Sequence, residues 1–415
     1  MARRRLLVDV GPLRQFPEFR KLWVGQLVSF LGTQLTVVAV PYQVFRLTHS
    51  SLDVGLVSLA QLAPLLAGSL LGGSVADAFD RRRLLLVTQT LLGLTSTGLA
   101  LNAGTGHPAL WPLFLMTAVA AGVSGIDSPA RTALISNLVG RDHFSSAFAL
   151  WQILIQVGLV AGPAVAGVLL GGVGATAVFW IDVGTFAVSL LAVWRMKPLE
   201  PAGERTRVGL ASVAEGLRFL RGRQVLQANF LIDINAMVFG MPRALFPALG
   251  LERFHGGAGA VGALYAAPGL GALIGALTTG WMHTVRRQGR AVELAVLAWG
   301  AAIAGFGLAP WLALALPLLA LAGAADVVSA VFRNTILQLS VPEGLRGRLS
   351  AVHIAVVTGG PRLGDVEAGA VAAAAGAPVS VVSGGIASML GVGLLARLMP
   401  RFTAYVPELE GTAEP

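Results

Sequence analysis

Long runs without a single charged side chain constrain this chain more than any motif does. The stretch LLLVTQTLLGLTSTGLALNA, residues 84–103, holds none, and neither does FALWQILIQVGLVAGPAVAGVLLG, residues 148–171. A run of about 20 apolar residues crosses the hydrocarbon of a bilayer as a helix, because lipid offers no partner for an unpaired backbone N–H or C=O. Charged residues make up 12% of the 415, where soluble domains carry about 25%, so there is too little charge to cover a soluble surface of this size. A transmembrane barrel needs alternating segments of about ten residues, and the chain does not read that way. The expected fold class is an all-α membrane protein.

Twelve apolar segments follow one another: 22–46, 52–76, 84–103, 110–136, 148–171, 174–194, 226–250, 258–282, 291–309, 311–338, 349–373 and 378–399. The longest polar interval, 195–225, divides them six and six. The predicted layout is a six-helix bundle over 1–194, a cytoplasmic central loop over 195–225, a second six-helix bundle over 226–399 and a cytoplasmic tail over 400–415. From Val208 the central loop takes a helical pattern, with Val213, Leu217 and Leu220 on one side and Arg218 and Arg221 towards another. That pattern suits a helix lying along the membrane face.

Basic residues set the orientation. With the N-terminus inside, all of the 30 Lys and Arg fall in inner regions except Arg46, Arg131, Arg243, Arg253, Arg333 and Arg362. Both termini are therefore expected in the cytoplasm, in a multi-pass protein of the plasma (inner) membrane. The net charge of +9 then needs no nucleic acid, since the basic face meets anionic lipid. The N-terminal MARRRLLVDVGPLRQFPEF has no apolar core before a cleavage site, unlike a secretory signal. With no cysteine, disulfides, zinc-thiolate sites and thiol catalysis are excluded. GVGATA at Gly172–Ala177 and GVGLLA at Gly391–Ala396 fit a relaxed dinucleotide fingerprint but follow no strand of a βαβ unit. There is no Walker loop and no His-Glu-x-x-His, so no cofactor, metal or enzymatic activity is expected; nothing implies an oligomer.

An internal repeat runs through the chain. RTALISNLVGRDHFSSA opens at Arg131 and RNTILQLSVPEGLRGRLSA at Arg333, each with arginine in the last turns of a long apolar segment. Ionisable residues inside such segments are costly and mark functional candidates. Asp127 and Arg131 are four apart, and Asp326 and Arg333 seven apart, each pair on one helical face. Asp233 and Arg243 lie near opposite ends of the seventh segment. Asp182, mid-depth in the sixth, suits a structural hydrogen-bond role. PRLGDVEAG, 361–369, puts Arg362, Asp365 and Glu367 into an otherwise apolar segment; Arg362 and Asp365, three apart, can meet on one face. Gly359, Gly360, Pro361 and Gly364 favour local unwinding there, which membranes tolerate beside a polar cavity. The element reads as binding and gating, with a buried ion pair that fixes packing, or charges at a surface, as the alternatives. Gln34, Asp127, Asp233, Asp326, Arg362 and Asp365 are the candidate substrate and proton cavity, and the sequence leaves open which acid carries the proton. Thr33 and Thr36 could add hydrogen bonds to a substrate.

GGSVADAFDRRR, between the second and third segments, resembles the signature loop of the major facilitator superfamily, with Gly73, Asp77, Asp80, Arg81, Arg82 and Arg83 in the pattern. Ala78 stands where that loop usually has a basic residue and Asp80 where it has glycine. As a gating latch, Asp77 is expected to pair with Arg131, and Arg333 holds the equivalent place in the second half. There, GALTTGWMHTVRRQGR keeps Arg286 and Arg287 but has no acid, so the second latch looks degraded. Gly158, Gly162, Pro163 and Gly167 resemble a Gly-x-x-x-Gly-Pro element of antiporters in the superfamily; generic small-residue packing is the other reading. Together with FRKLWVGQLVSFLGTQLTVVAVPYQVFRLTHSSLDVGLV, RTALISNLV and PRLGDVEAG, these features resemble the enterobactin exporter type of major facilitator protein over nearly the whole chain. The resemblance implies twelve helices in two bundles, alternating access, and proton-driven export of a siderophore or amphiphilic drug-like molecule. A non-transporting receptor or scaffold with this fold, or an importer, are the alternatives.

Overall fold

The computed structural model describes residues 9–197 and 218–407; within its helices a few side chains, among them Asp77, Arg141, Arg346 and Arg348, lie outside that description. The expected amphipathic helix of the central loop falls mostly on residues 198–217 and lies outside it too. Among the described residues all regular structure is helical.

A short turn, Gly11–Gln15, precedes α1 (Pro17–Thr48), α2 (Ser51–Ala78) and α3 (Arg81–Ala103). The helical run Trp111–Gly172 breaks at Gly140, whose φ of 68° lies in the left-handed region open to glycine. It divides into α4 (Trp111–Gly140) and α5 (Asp142–Gly172), followed by α6 (Gly174–Trp194). Then come α7 (Gln224–Arg253), α8 (Gly257–Leu277), α9 (Gln288–Leu308), α10 (Leu312–Ser340), α11 (Glu343–Ala375) and α12 (Ala377–Leu398). Eleven of these are long and apolar enough to cross a membrane. The exception is α11: it has 33 residues but carries Arg362, Asp365 and Glu367 in its middle.

Asp80 caps α3, its carboxylate accepting the backbone N–H of Arg83 at 2.7 Å. The arginines beside it satisfy carbonyls of neighbouring helices. Arg81 donates to the Ala133 carbonyl at 3.2 Å, and Arg82 to the Val193 carbonyl at 3.1 Å and to that of Trp194. Arg82 thus places positive charge on the C-terminal end of α6, where the helix dipole is negative.

The chain forms two compact units. One comprises Met1–His49, Ala60–Gly209 and Gly257–Ala266; the other, Ser50–Leu59, Leu210–Gly256 and Ala267–Pro415. In the first unit α1 and α3 pack on α6 and on the α4–α5 run, around Phe19, Leu22, Leu85, Leu134 and Val193. In the second, α9 packs on α10 and α12, and α7 on α11 and α12, around Ile232, Val296, Phe332 and Ile336. Large apolar side chains also stand outward, such as Leu277 and Leu390. On a membrane-spanning helix that face meets lipid at no cost, so close packing, not burial from water, holds such helices together.

The expected unwinding at Gly359–Gly364 does not occur: α11 stays helical through Pro361. Its glycines admit α7 instead. A Cβ on Gly360 would lie 2.9 Å from the Met237 Cβ, and one on Gly364 would lie 2.9 Å from the Val238 carbonyl oxygen. The break falls in α7. That helix is regular over Gln224–Phe239, stops at Gly240–Pro242, and resumes as a 3-10 turn at Arg243–Leu245, ending in a π turn at Leu249–Arg253. Pro242 has no N–H to donate and disfavours helical geometry at Met241. The indole N–H of Trp299 donates to the Gly240 carbonyl at 2.7 Å. Replacing Gly364 with valine is expected to lower stability by roughly 1–3 kcal/mol through overpacking. Gly393→Val, where no atom lies within 4 Å, should be close to neutral. Thermal unfolding of the detergent-solubilised protein compares the two.

Candidate functional site

The second unit holds its ionised groups around Arg333. This arginine, 5% exposed on α10, pairs with Asp233 of α7 and stands 3.8 Å from Asp326, about two turns earlier on the same face of α10. Asp233 is buried, whereas 36% of the Asp326 side chain is exposed. Two carboxylates therefore share one guanidinium. A charge placed in hydrocarbon is costly unless paired, and here Arg333 serves an acid from each of two helices. Polar atoms nearby are unspent: among the described residues the Nε of Arg333, the hydroxyl of Ser329 and the side-chain carbonyl of Asn229 have no hydrogen-bond partner. The Asn229 amide donates to the Arg333 carbonyl at 3.4 Å. His353 of α11, its ring 6.3 Å from that of Phe230, lies in the field of Asp233 and Arg333. No local spacing in the sequence ties His353 to Asp233. Asn229 carried a signal, being a second polar residue four before Asp233 on an apolar helix.

Arg362 and Asp365 do not meet. Arg362 donates to the Thr358 carbonyl on its own helix, 2.5 Å away, and its Nε is buried without a partner. Asp365 faces the α7 break. Its carboxylate accepts the backbone N–H of Ala244 at 3.1 Å, with Ser58 close by. It acts as a remote cap for the resumed turn of α7, satisfying a donor that the interruption frees. Arg243, at the start of that turn, lies within electrostatic range of both Asp326 and Asp365. Sequence reading had not joined it to them.

In the first unit Asp127 of α4 is fully buried and pairs with Arg131, one turn on. It also accepts hydrogen bonds from Thr88 at 2.6 Å and Gln89 at 3.3 Å on α3. Arg131 lies over the Trp151 ring at 5.5 Å. Asp77, its expected latch partner, lies outside the described side chains. Asp182 of α6, 1% exposed, draws in hydroxyls from three helices: Thr36 and Ser96 at 2.7 Å and Thr185 at 3.3 Å. Thr33 donates to the Ser29 carbonyl, so the hydroxyl protons of both threonines are engaged. Gln34 is buried, and its amide makes no hydrogen bond among the described residues. Gly158 and Gly162 face Phe30 and Gln34 of α1, and a Cβ on Gly167 would lie 2.9 Å from the Gly262 Cα. Next to them, the Pro163 carbonyl stands 2.6 Å from where a Cβ of Gly262 would sit.

Apolar helices with ion pairs buried among them belong to a membrane protein, and its family comes from comparison with known proteins. The family profile described as "Transmembrane secretion effector", of the major facilitator superfamily, matches residues 8–410, and the chain belongs to that family. Its members are membrane transporters, not enzymes. Among curated relatives, the enterobactin exporter EntS of Shigella boydii serotype 18 (strain CDC 3083-94 / BS512) is 30% identical over 96% of this chain and 95% of its own. The EntS of Escherichia coli (strain SMS-3-5 / SECEC) is 29% identical over 99% of both. Among solved structures, the nucleoside transporter NupG is similar at a TM-score of 0.73, with 15% identity over 93% of this chain and 98% of its own. A bacterial homologue of the lysosomal transporter Spinster gives 0.72, with 15% identity over 96% of this chain and all of its own. At such identity these structures speak for the fold alone.

Removing one partner of a buried pair costs roughly 3–5 kcal/mol, because the other charge is left uncompensated. Arg333→Met is therefore expected to destabilise by about that much, and Arg333→Met with Asp233→Leu by clearly less. Unfolding of the single and double variants in detergent tests the coupling; additive losses would mean the two charges stand independently.

Proposed function

We propose that the protein is a secondary active exporter, driven by protons and working by alternating access, whose cargo is a siderophore or an amphiphilic drug-like molecule. In this reading all twelve helices, α11 included, span the membrane as two six-helix bundles over 1–194 and 226–399. The central loop 195–225, the tail 400–415 and both termini lie in the cytoplasm. The observation that carries it is the Asp233–Arg333–Asp326 cluster: two acids and one guanidinium on spanning helices, with Asp326 partly exposed. Asp326 can take a proton and become neutral while Asp233 stays paired with Arg333. Each proton crossing with the membrane potential supplies about 2.3 kcal/mol per 100 mV, enough to bias the return stroke. Asp127, already paired and bonded to two side chains, is the less suited carrier. For the cargo, Arg362 and Gln34 each present polar atoms that no group among the described residues uses. The EntS relatives support a siderophore.

In proteoliposomes under an imposed pH gradient, enterobactin flux is the direct measurement. Asp326→Asn is expected to abolish the gradient-driven component and keep cargo binding. Wild-type binding without flux would indicate a scaffold, and flux in the opposite sense an importer. Deleting the protein under iron starvation should leave a siderophore-like metabolite retained in cells. The absence of cysteine allows a clean test of orientation. A membrane-impermeant maleimide is expected to label His107→Cys from outside and Arg286→Cys only from inside; the reverse pattern would invert the topology.

A further inference from the structure

The loop after α8 is the counterpart of the Asp77 loop, and its arginines are differently placed. In the first half, Arg81 and Arg82 are engaged on carbonyls of α4 and α6. In the second, a 3-10 turn, Thr279–Thr284, leads into Arg286, Arg287 and Arg290, with no acid anywhere between Thr278 and Arg290. Their guanidinium groups make no hydrogen bond and no ion pair among the described residues, and Glu293 acts on Arg290 only at longer range. Arg287 and Arg290 stand at one end of a groove of about 610 Å³ between α8, α9 and α10. The remaining lining is almost wholly apolar. Leu294, Leu321 and Val328 form walls, and small residues such as Gly275 and Ala298 keep the floor low. Trp281 stands near the charged end, 49% exposed, its ring 6.4 Å from that of Phe332. Leu294 and Leu321 are more than half exposed, so the groove opens on the outer surface of spanning helices, where hydrocarbon lies. None of Asp233, Asp326, Arg333 or Asp365 lines it.

We propose that this groove seats one anionic phospholipid of the adjoining leaflet, its phosphate on Arg287 and Arg290 and an acyl chain along Leu294, Leu321 and Val328. Charge complementarity selects the occupant. The site is positive at one end only and apolar along its length, which matches an amphiphile with a single anionic head. The volume lies within the roughly 300–1,000 Å³ of small-molecule sites. The first turn of α9, which begins beside Arg287 with no side-chain cap, adds the positive end of the helix dipole. Bound there, the lipid would join α8 to α9 and α10 at the place where the first half uses its own arginines to join helices. The first half closes this junction with protein groups; the second leaves it to the membrane.

The test uses the full chain in phosphatidylcholine vesicles that contain either brominated phosphatidylglycerol or brominated phosphatidylcholine at equal mole fraction. The readout is quenching of Trp281, taken as the difference between wild type and Trp281→Phe. Phosphatidylglycerol is expected to quench several-fold more effectively. With Arg287→Gln and Arg290→Gln together, the preference should disappear, because the two basic residues that attract an anionic headgroup are gone. Ala298→Phe keeps both arginines but fills the groove, and it should lose the preference as well. Equal quenching by the two lipids would overturn the proposal. So would a preference that survives Ala298→Phe, since that is surface attraction without a seated chain. Competition by water-soluble glycerol phosphate would also overturn it, by making the site one for free phosphate.

Discussion

Hydrocarbon offers no hydrogen-bond partner, and that constraint organises everything else in this protein. Backbone groups must be satisfied inside each segment, which makes the segments helices. Charged and polar side chains must find partners on neighbouring helices or line a polar passage. Asp182 shows how far this goes. A single carboxylate gathers hydroxyls from α1, α3 and its own helix, so burying one ionisable group fixes the spacing of three elements. The break in α7 obeys the same rule. The Gly240 carbonyl takes the Trp299 indole and the Ala244 N–H takes Asp365, so the interruption leaves neither group orphaned.

The two arginines of the internal repeat meet that constraint differently. Arg131 finds Asp127 one turn away on its own helix, and α3 supplies the remaining hydrogen bonds. One turn before Arg333 stands Ser329, whose hydroxyl is unpartnered, and the acid comes from α7 as Asp233. Asp326 then adds a second carboxylate near the same guanidinium. One half thus gives its arginine a single acid from its own helix, and the other sets two acids from two helices beside its arginine.

Much of the fold was legible in the sequence, and the candidate site only in outline. Each long apolar run became a helix, and the charges in PRLGDVEAG do sit within one. Which helix yields was misread. Pro361 with its flanking glycines looked like a break, yet those glycines make room for the α7 backbone, and the interruption falls at Gly240–Pro242. Glycine beside proline signals either a bend or a close contact, and only the neighbouring helix decides between them. The expected meeting of Arg362 with Asp365 failed for a similar reason. Three-residue spacing permits the contact, but Asp365 is drawn to the opened backbone of α7 and Arg362 to a carbonyl of its own helix.

The sequence by itself determined that this chain is helical, membrane-spanning and akin to major facilitator proteins. Those properties rest on local demands: about 20 apolar residues per crossing, arginine in clusters between crossings, and short motifs in the connecting loops. Tertiary structure alone decided that Arg333 pairs with an acid 100 residues away. It also decided that Asp365 caps α7, that Asp182 is held by hydroxyls, and that the arginines after α8 are left open beside an apolar groove. Those outcomes depend on which helices lie side by side, and packing between distant segments leaves no periodic mark within either one.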